Sequence, residues 1–136
     1  MGLAERRAVK EFQDNQFPGY KNALDQAAGF EVKLDIDWDS FMKDDQSHLM
    51  HEGLRKVFFV PLEEALKAIT IDDMGKQALK DGLKRIVMKN SSDHYSPSSA
   101  FKFEQGVLTM DHSPYYNQDD INDRRDELRK IMEKGL

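Results

Sequence analysis

The clearest pattern of apolar and polar positions runs from Phe30 to Phe41. Val32, Leu34, Ile36 and Trp38 alternate with Glu31, Lys33, Asp35, Asp37 and Asp39. Successive Cβ atoms of an extended chain leave opposite faces of the pleat, so a period of two predicts a strand with one apolar and one charged face. The apolar face carries the only tryptophan and is expected to lie on a layer of helices. The charged face, with four carboxylates and one ammonium, has to meet water, a cation or a basic partner.

Helical periods surround this ribbon. Ala4, Ala8, Val9 and Phe12 predict a helix from Leu3 to Gln16, which Pro18–Gly19 is expected to break. Tyr20, Leu24 and Ala27 predict a second, with Gly29 as its left-handed cap. His48 to about Phe58 reads as helix, although Val57 to Val60 also fits a short buried strand. Pro61 suits the first turn of a new helix whose core face is Leu62, Ala65, Leu66 and Ile69. Thr70 and Asp73 have the spacing of a capping box for the next helix. Ile86–Val87–Met88 reads as a buried strand or the last turn of that helix.

Asn90 to Ser99 is a loop by composition. A hairpin follows: a two-residue turn at Gln105–Gly106 sets Phe103 opposite Leu108 and Phe101 opposite Met110. Asn117 is the expected cap of a last helix, whose thin stripe of Ile121, Leu128 and Ile131 places it on the outside. Together these elements predict one α+β domain over residues 1–136. Its sheet is expected to be small, mostly antiparallel and of about four strands, with helices packed mainly on one face.

Composition narrows the chemistry. The chain has 136 residues, and 25 acids against 20 bases give a formal charge of −5. That balance argues against broad nucleic-acid binding, which rests on phosphate neutralisation, and favours a basic protein partner. With no cysteine, thiol catalysis, thiolate zinc sites and disulfides are excluded. No signal-peptide pattern opens the chain, and the longest apolar run, Val57 to Val60, is too short to span a bilayer. A cytoplasmic protein without membrane contact is expected.

Three groups of residues invite a chemical reading. Asp35-x-Asp37-x-Asp39 has the opening rhythm of a calcium loop, but Ser40 and Gln46 stand where an EF-hand needs Gly and Glu. Surface acids are common, so a solvated sheet face is the ordinary reading of these aspartates; a looser Mg²⁺ or Ca²⁺ site and an acidic docking face for a basic protein are the functional alternatives. His48-x-x-His51–Glu52 would place two imidazoles on one helical face without an identifiable third metal ligand. Asp93–His94–Tyr95 in the loop and Asp111–His112 at the hairpin's end would converge if the loop folded back, giving imidazoles with carboxylate neighbours suited to general-base work. No nucleophile elbow, phosphate loop or dinucleotide fingerprint is present. Neither a catalytic residue nor a metal ligand is assigned, and no cofactor is expected. Tyr115 and Tyr116 read as packing for the last helix or as an aromatic anchor for a partner.

In overall character, a small acidic Cys-free α+β chain, the sequence is similar to many bacterial inhibitor or immunity proteins. That similarity is one of composition and covers no motif. The leading expectation is a non-enzymatic interaction module binding a basic protein through Asp35, Asp37 and Asp39, with Tyr115 and Tyr116. The alternatives are a small-ligand or metal-dependent hydrolase-type enzyme using His94 and His112 with Asp93 and Asp111, and a homodimeric assembly protein.

Overall fold

The computed structural model describes residues 2–136; Met1, the first residue of the expected domain, lies outside the described residues. The chain begins with α1 (Leu3–Glu11), which does not end at Pro18. It passes through a π-helical turn (Phe12–Gln16) straight into α2 (Phe17–Ala28). Proline lacks an N–H and its ring collides with the carbonyl four residues earlier, so a regular helix would break there. The wide turn relieves this: the Phe17 N–H reaches back to the Phe12 carbonyl, and Pro18 sits in the first turn of the following α-helix. Gly29 ends α2 with φ of 86°, the left-handed cap that the sequence predicts.

The same device recurs. α3 (Ser47–Gly53) runs through a second π-helical turn (Leu54–Phe59) into α4 (Val60–Ile69), with Pro61 again in the first turn after the wide segment. Val57 to Val60 is therefore helical. At α5 (Asp73–Gly82) the capping residue is Asp72, whose carboxylate accepts from the Gly75 N–H at 2.7 Å. Thr70 instead donates its hydroxyl to the Leu66 and Ala27 carbonyls, at 2.8 and 2.9 Å, and ties α4 to α2.

Four strands form one sheet in the order β1-β2-β4-β3: β1 (Leu34–Ile36), β2 (Arg85–Lys89), β3 (Phe101–Glu104) and β4 (Val107–Asp111). A one-turn helix, α6 (Pro97–Ala100), precedes β3. The class is α+β as expected, but the sheet is mixed and mostly parallel. β1 runs parallel to β2 and β2 parallel to β4; β3 and β4 alone are antiparallel. The physical reason is connectivity. Parallel neighbours need a long crossover, and α3, α4 and α5 between β1 and β2 supply it. The hairpin pairs in the expected register, Phe101 with Met110 and Phe103 with Leu108. Its turn residues Gln105 and Gly106 have φ of 51° and 82°, as a tight two-residue hairpin turn requires.

Alternation sorts the sheet into two faces. Leu34, Ile36, Ile86, Met88, Leu108, Met110 and Phe101 turn toward the helices, where Leu24, Met50, Leu62, Leu66, Leu79 and Leu128 are closed to solvent. Of the strand expected over Phe30 to Phe41, only Leu34–Ile36 lies in the sheet; Trp38–Phe41 closes into a 3-10 turn, where the Ser40 N–H and hydroxyl both donate to the Asp37 carbonyl. Burial still alternates through it: every aspartate is exposed, and Trp38 is half-buried with its ring edge-on to Phe17 at 5.2 Å. The last helix, α7 (Ile121–Gly135), differs from expectation. It starts at Ile121 rather than after Asn117, which sits at φ of 52° in the preceding loop. It packs along α4, with Arg124, Leu128 and Met132 buried. An arginine on the inward stripe made this helix look peripheral.

Candidate functional site

The three parallel strands β1, β2 and β4 all end on the same side of the sheet. In open α/β sheets ligands gather at that end, because the loops leaving the strands converge there. The segments after β1 (37–46), after β2 (90–96) and after β4 (from 111 to 120) do converge. The Ser40 hydroxyl accepts the Asn90 N–H at 3.0 Å. The Asp111 carboxylate accepts the Ser91 N–H at 2.7 Å and the Ser91 hydroxyl. The Ser113 N–H donates to the His94 carbonyl at 2.8 Å, and the Asn117 amide to the Tyr95 carbonyl at 3.4 Å. The long loop therefore folds back over the end of β4, and Asp93, His94, Tyr95, Asp111 and His112 share one region.

Within it the two imidazoles have different surroundings. His112 is fully buried. Its Nδ1 lies 2.6 Å from the Ser113 carbonyl, which can only accept, so Nδ1 carries the proton. Its bare Nε2 then accepts from Arg124 Nε at 3.4 Å. Burial pushes the His112 pKa down to about 4, and the facing guanidinium adds to the shift. With both nitrogens engaged inside the protein, this ring has none to offer a substrate. His94 is half-buried and lies outside that pair.

Arg124 is the functional-end residue that pattern reading passed over. It is 1% exposed, and burial lowers its pKa from the ordinary value. Its Nη2 donates to the Tyr116 carbonyl at 2.9 Å and its Nη1 to the Gln118 carbonyl at 3.4 Å. One cation thus holds the backbone of the third loop in place. Its sequence signal was only that position 124 falls between Ile121 and Leu128 on a helical period. On the other side, Glu5 of α1 is also buried and accepts the Asp45 N–H at 3.1 Å. Backbone N–H groups, its own and that of Asp45, hold its carboxyl below the usual range.

The tyrosines divide in the same way. Tyr115 is packed and gives its hydroxyl proton to the Phe41 carbonyl; burial pushes its pKa up to about 12. Tyr116 and Tyr95 are 43% and 64% exposed, edge-on to one another at 6.3 Å. Lys43 lies over both Tyr115 and Tyr116, its Nζ 5.9 and 5.3 Å from the ring centroids. Beside them Ser40, Met42, Lys43, Asn90, Ser91 and Asp93 line a polar cleft of ≈ 180 Å³.

The expected acidic face takes a different shape. Asp35 is paired with Arg85 at 2.5 Å, and Lys33, Lys89 and Lys102 share its side of the sheet, so that face is of mixed sign. Asp37 and Asp39 belong instead to the loop end. There the three segments hold eight aspartates, Asp37, Asp39, Asp44, Asp45, Asp93, Asp111, Asp119 and Asp120, against the single Lys43, although the whole chain carries only −5. Lys56 reaches in to pair with Asp119 at 2.8 Å.

His48 and His51 are exposed on α3. Glu52 is engaged by Arg55 at 2.8 Å and Lys56 at 3.4 Å, and its hydrogen bond from Arg55 leads in holding its pKa at about 2. Among the described residues, no three His, Asp or Glu side chains come together as a metal site, and no helix is long and apolar enough to cross a membrane.

Fold and site together define an α+β arrangement with a mixed sheet and an aspartate-rich, aromatic loop end. Comparison with protein-family models, curated proteins and solved structures gives no match.

Proposed function

We propose that this protein is a non-enzymatic interaction module that docks a basic segment of another protein on its loop end. One observation carries the reading: the segments that follow the three parallel strands carry eight aspartates between them, and they are joined to one another by the Ser40–Asn90, Ser91–Asp111 and Ser113–His94 hydrogen bonds around the exposed Tyr95–Tyr116 pair. Concentrated charge of one sign steers a partner of the other sign and sets its orientation, while exposed aromatic rings supply the contact area that holds it. The loops are braced from behind by Arg124, Glu5 and the Tyr115 hydroxyl, so the surface is prepared before binding.

The test is an NMR titration with a lysine-rich peptide at low and high salt. Shift changes confined to 37–46, 90–96 and 111–120, lost at high salt and abolished by the Asp37→Lys/Asp93→Lys double variant, support the proposal. Equal binding by that variant, or shifts centred elsewhere, would overturn it.

A further inference from the structure

Lys43 is the only lysine or arginine of the three loops. Among the described residues its ammonium has no carboxylate at ion-pair distance. It lies over the rings of Tyr116 and Tyr115 instead, at 5.3 and 5.9 Å. Aromatic faces are negative and attract ammonium groups, so these rings form a receptor for one. The receptor is well anchored. The Tyr115 hydroxyl is bonded to the Phe41 carbonyl, and the Tyr116 carbonyl is held by buried Arg124 at 2.9 Å. Tyr95, edge-on to Tyr116, extends the wall outward. Lys43 is the movable part: a long side chain in the 37–46 loop, on the rim of the cleft it shares with Asp93.

We infer that Tyr115 and Tyr116, walled by Tyr95, form a pocket for a lysine side chain of the partner, and that Lys43 occupies it when no partner is bound. This rests on the docking reading above and names the group recognised there. A partner's lysine has to displace Lys43, with Asp93 beside the cleft to receive either ammonium. Self-occupancy lowers the apparent affinity by the fraction of molecules whose pocket is filled.

The experiment measures binding of a fluorescein-labelled Lys/Gly/Ser peptide by polarisation. Removing Lys43 also removes a positive charge, which alone would tighten binding. Lys89→Gln makes the same charge change at the end of β2 without touching the rings, and serves as the control. Lys43→Gln is expected to tighten binding about 3-fold more than Lys89→Gln, the scale of one exposed cation–aromatic contact. That excess should vanish in a Tyr116→Leu background. Equal tightening by the two variants would overturn the self-occupied pocket and leave the docking reading intact. If neither the wild type nor Lys43→Gln binds the peptide while both give folded spectra, the docking reading falls and this inference with it. A measurement without peptide stands beside these: the Lys43 Hε protons should be shifted upfield by the rings, and unshifted protons would overturn the inference.

Discussion

Arg124 Nε lies 3.4 Å from His112 Nε2, so the last helix holds the end of the last strand through a cation and a neutral imidazole that solvent hardly reaches. Protonating His112 would set two positive charges face to face in the interior. Its pKa is about 4 in the folded protein, against 6.5 for an ordinary histidine. Between those values the unfolded chain binds the proton and the folded one does not. Stability from this group is therefore complete above pH 6.5 and falls as pH drops toward 4, by about 3 kcal/mol in all. Urea midpoints at pH 7, 6 and 4.5 for wild type and His112→Gln measure it. The wild type should lose stability relative to the variant on acidification, and parallel curves would refute the assignment.

Gly53 lies inside α3, where propensity alone says that alanine would stabilise by about 1 kcal/mol. The structure predicts the reverse. A Cβ at this position would come within 2.0 Å of the Pro114 carbonyl oxygen, a backbone atom of the 111–120 loop. Neither backbone can retreat cheaply, because Gln118 bridges the Leu49 and Pro114 carbonyls at 3.1 and 3.0 Å. Gly53→Ala should cost about 2–4 kcal/mol, in the range of core overpacking and lost hydrogen bonds, and should shift the amide resonances of 113–118. A variant as stable as wild type would show that the helix and loop are not in contact.

Tyr115 offers a second titration with the opposite sign. Its phenol is pushed up to about 12, while an unfolded tyrosine ionises near 10. The folded state keeps the proton longer, so stability present below pH 10 is lost as pH rises from 10 toward 12. Tyr115→Phe removes this alkaline loss and also the hydrogen bond to the Phe41 carbonyl, at a cost of about 1–2 kcal/mol near neutral pH. Denaturation of both proteins at pH 7.5 and 10.5 separates the two effects. An equal loss in the two proteins between these pH values would rule out the buried phenol as its source.

Arg124→Met tests the brace behind the proposed docking surface. It leaves the Tyr116 and Gln118 carbonyls without their buried donor, at about 2–4 kcal/mol. Faster hydrogen exchange should follow across 112–120 while β1 and β2 stay protected. A uniform change over the whole chain would mean that the arginine supports the core in general and not this loop.

What the residues disclosed in advance follows the reach of each force. The strand at Leu34–Ile36 and the pairing of Phe101 with Met110 were legible because period and turn chemistry act over a few residues, but the alternation ran on past the strand into Trp38–Phe41, which is a 3-10 turn whose exposed and packed positions happen to alternate too. The direction of β2 beside β1 was not legible, since it depends on the route of the helical crossover between them. Pro18 looked like a break because a proline's local rule assumes α geometry on both sides, whereas Pro61 falls in the first turn of its helix as expected. At the loop end, Asp93, Asp111 and the tyrosines were recognisable as polar and aromatic clusters. Arg124 was not: a charged residue on an inward stripe weakens the very pattern that would place it inside.

The wide turn ahead of Pro18 has one more effect. Buried or packed residues of the first helix fall at Glu5, Val9 and Phe12, and then at Phe17, Tyr20, Leu24 and Ala27. The step of five between Phe12 and Phe17 shifts the phase of everything downstream by about one residue, or roughly 100° of rotation. Shortening 12–16 by one residue would take away the wide turn that accommodates Pro18 and would swing Leu24 and Ala27 out toward water. The first helix therefore works as a gauge with one tick added, and the fit of α2 against α4 depends on that count.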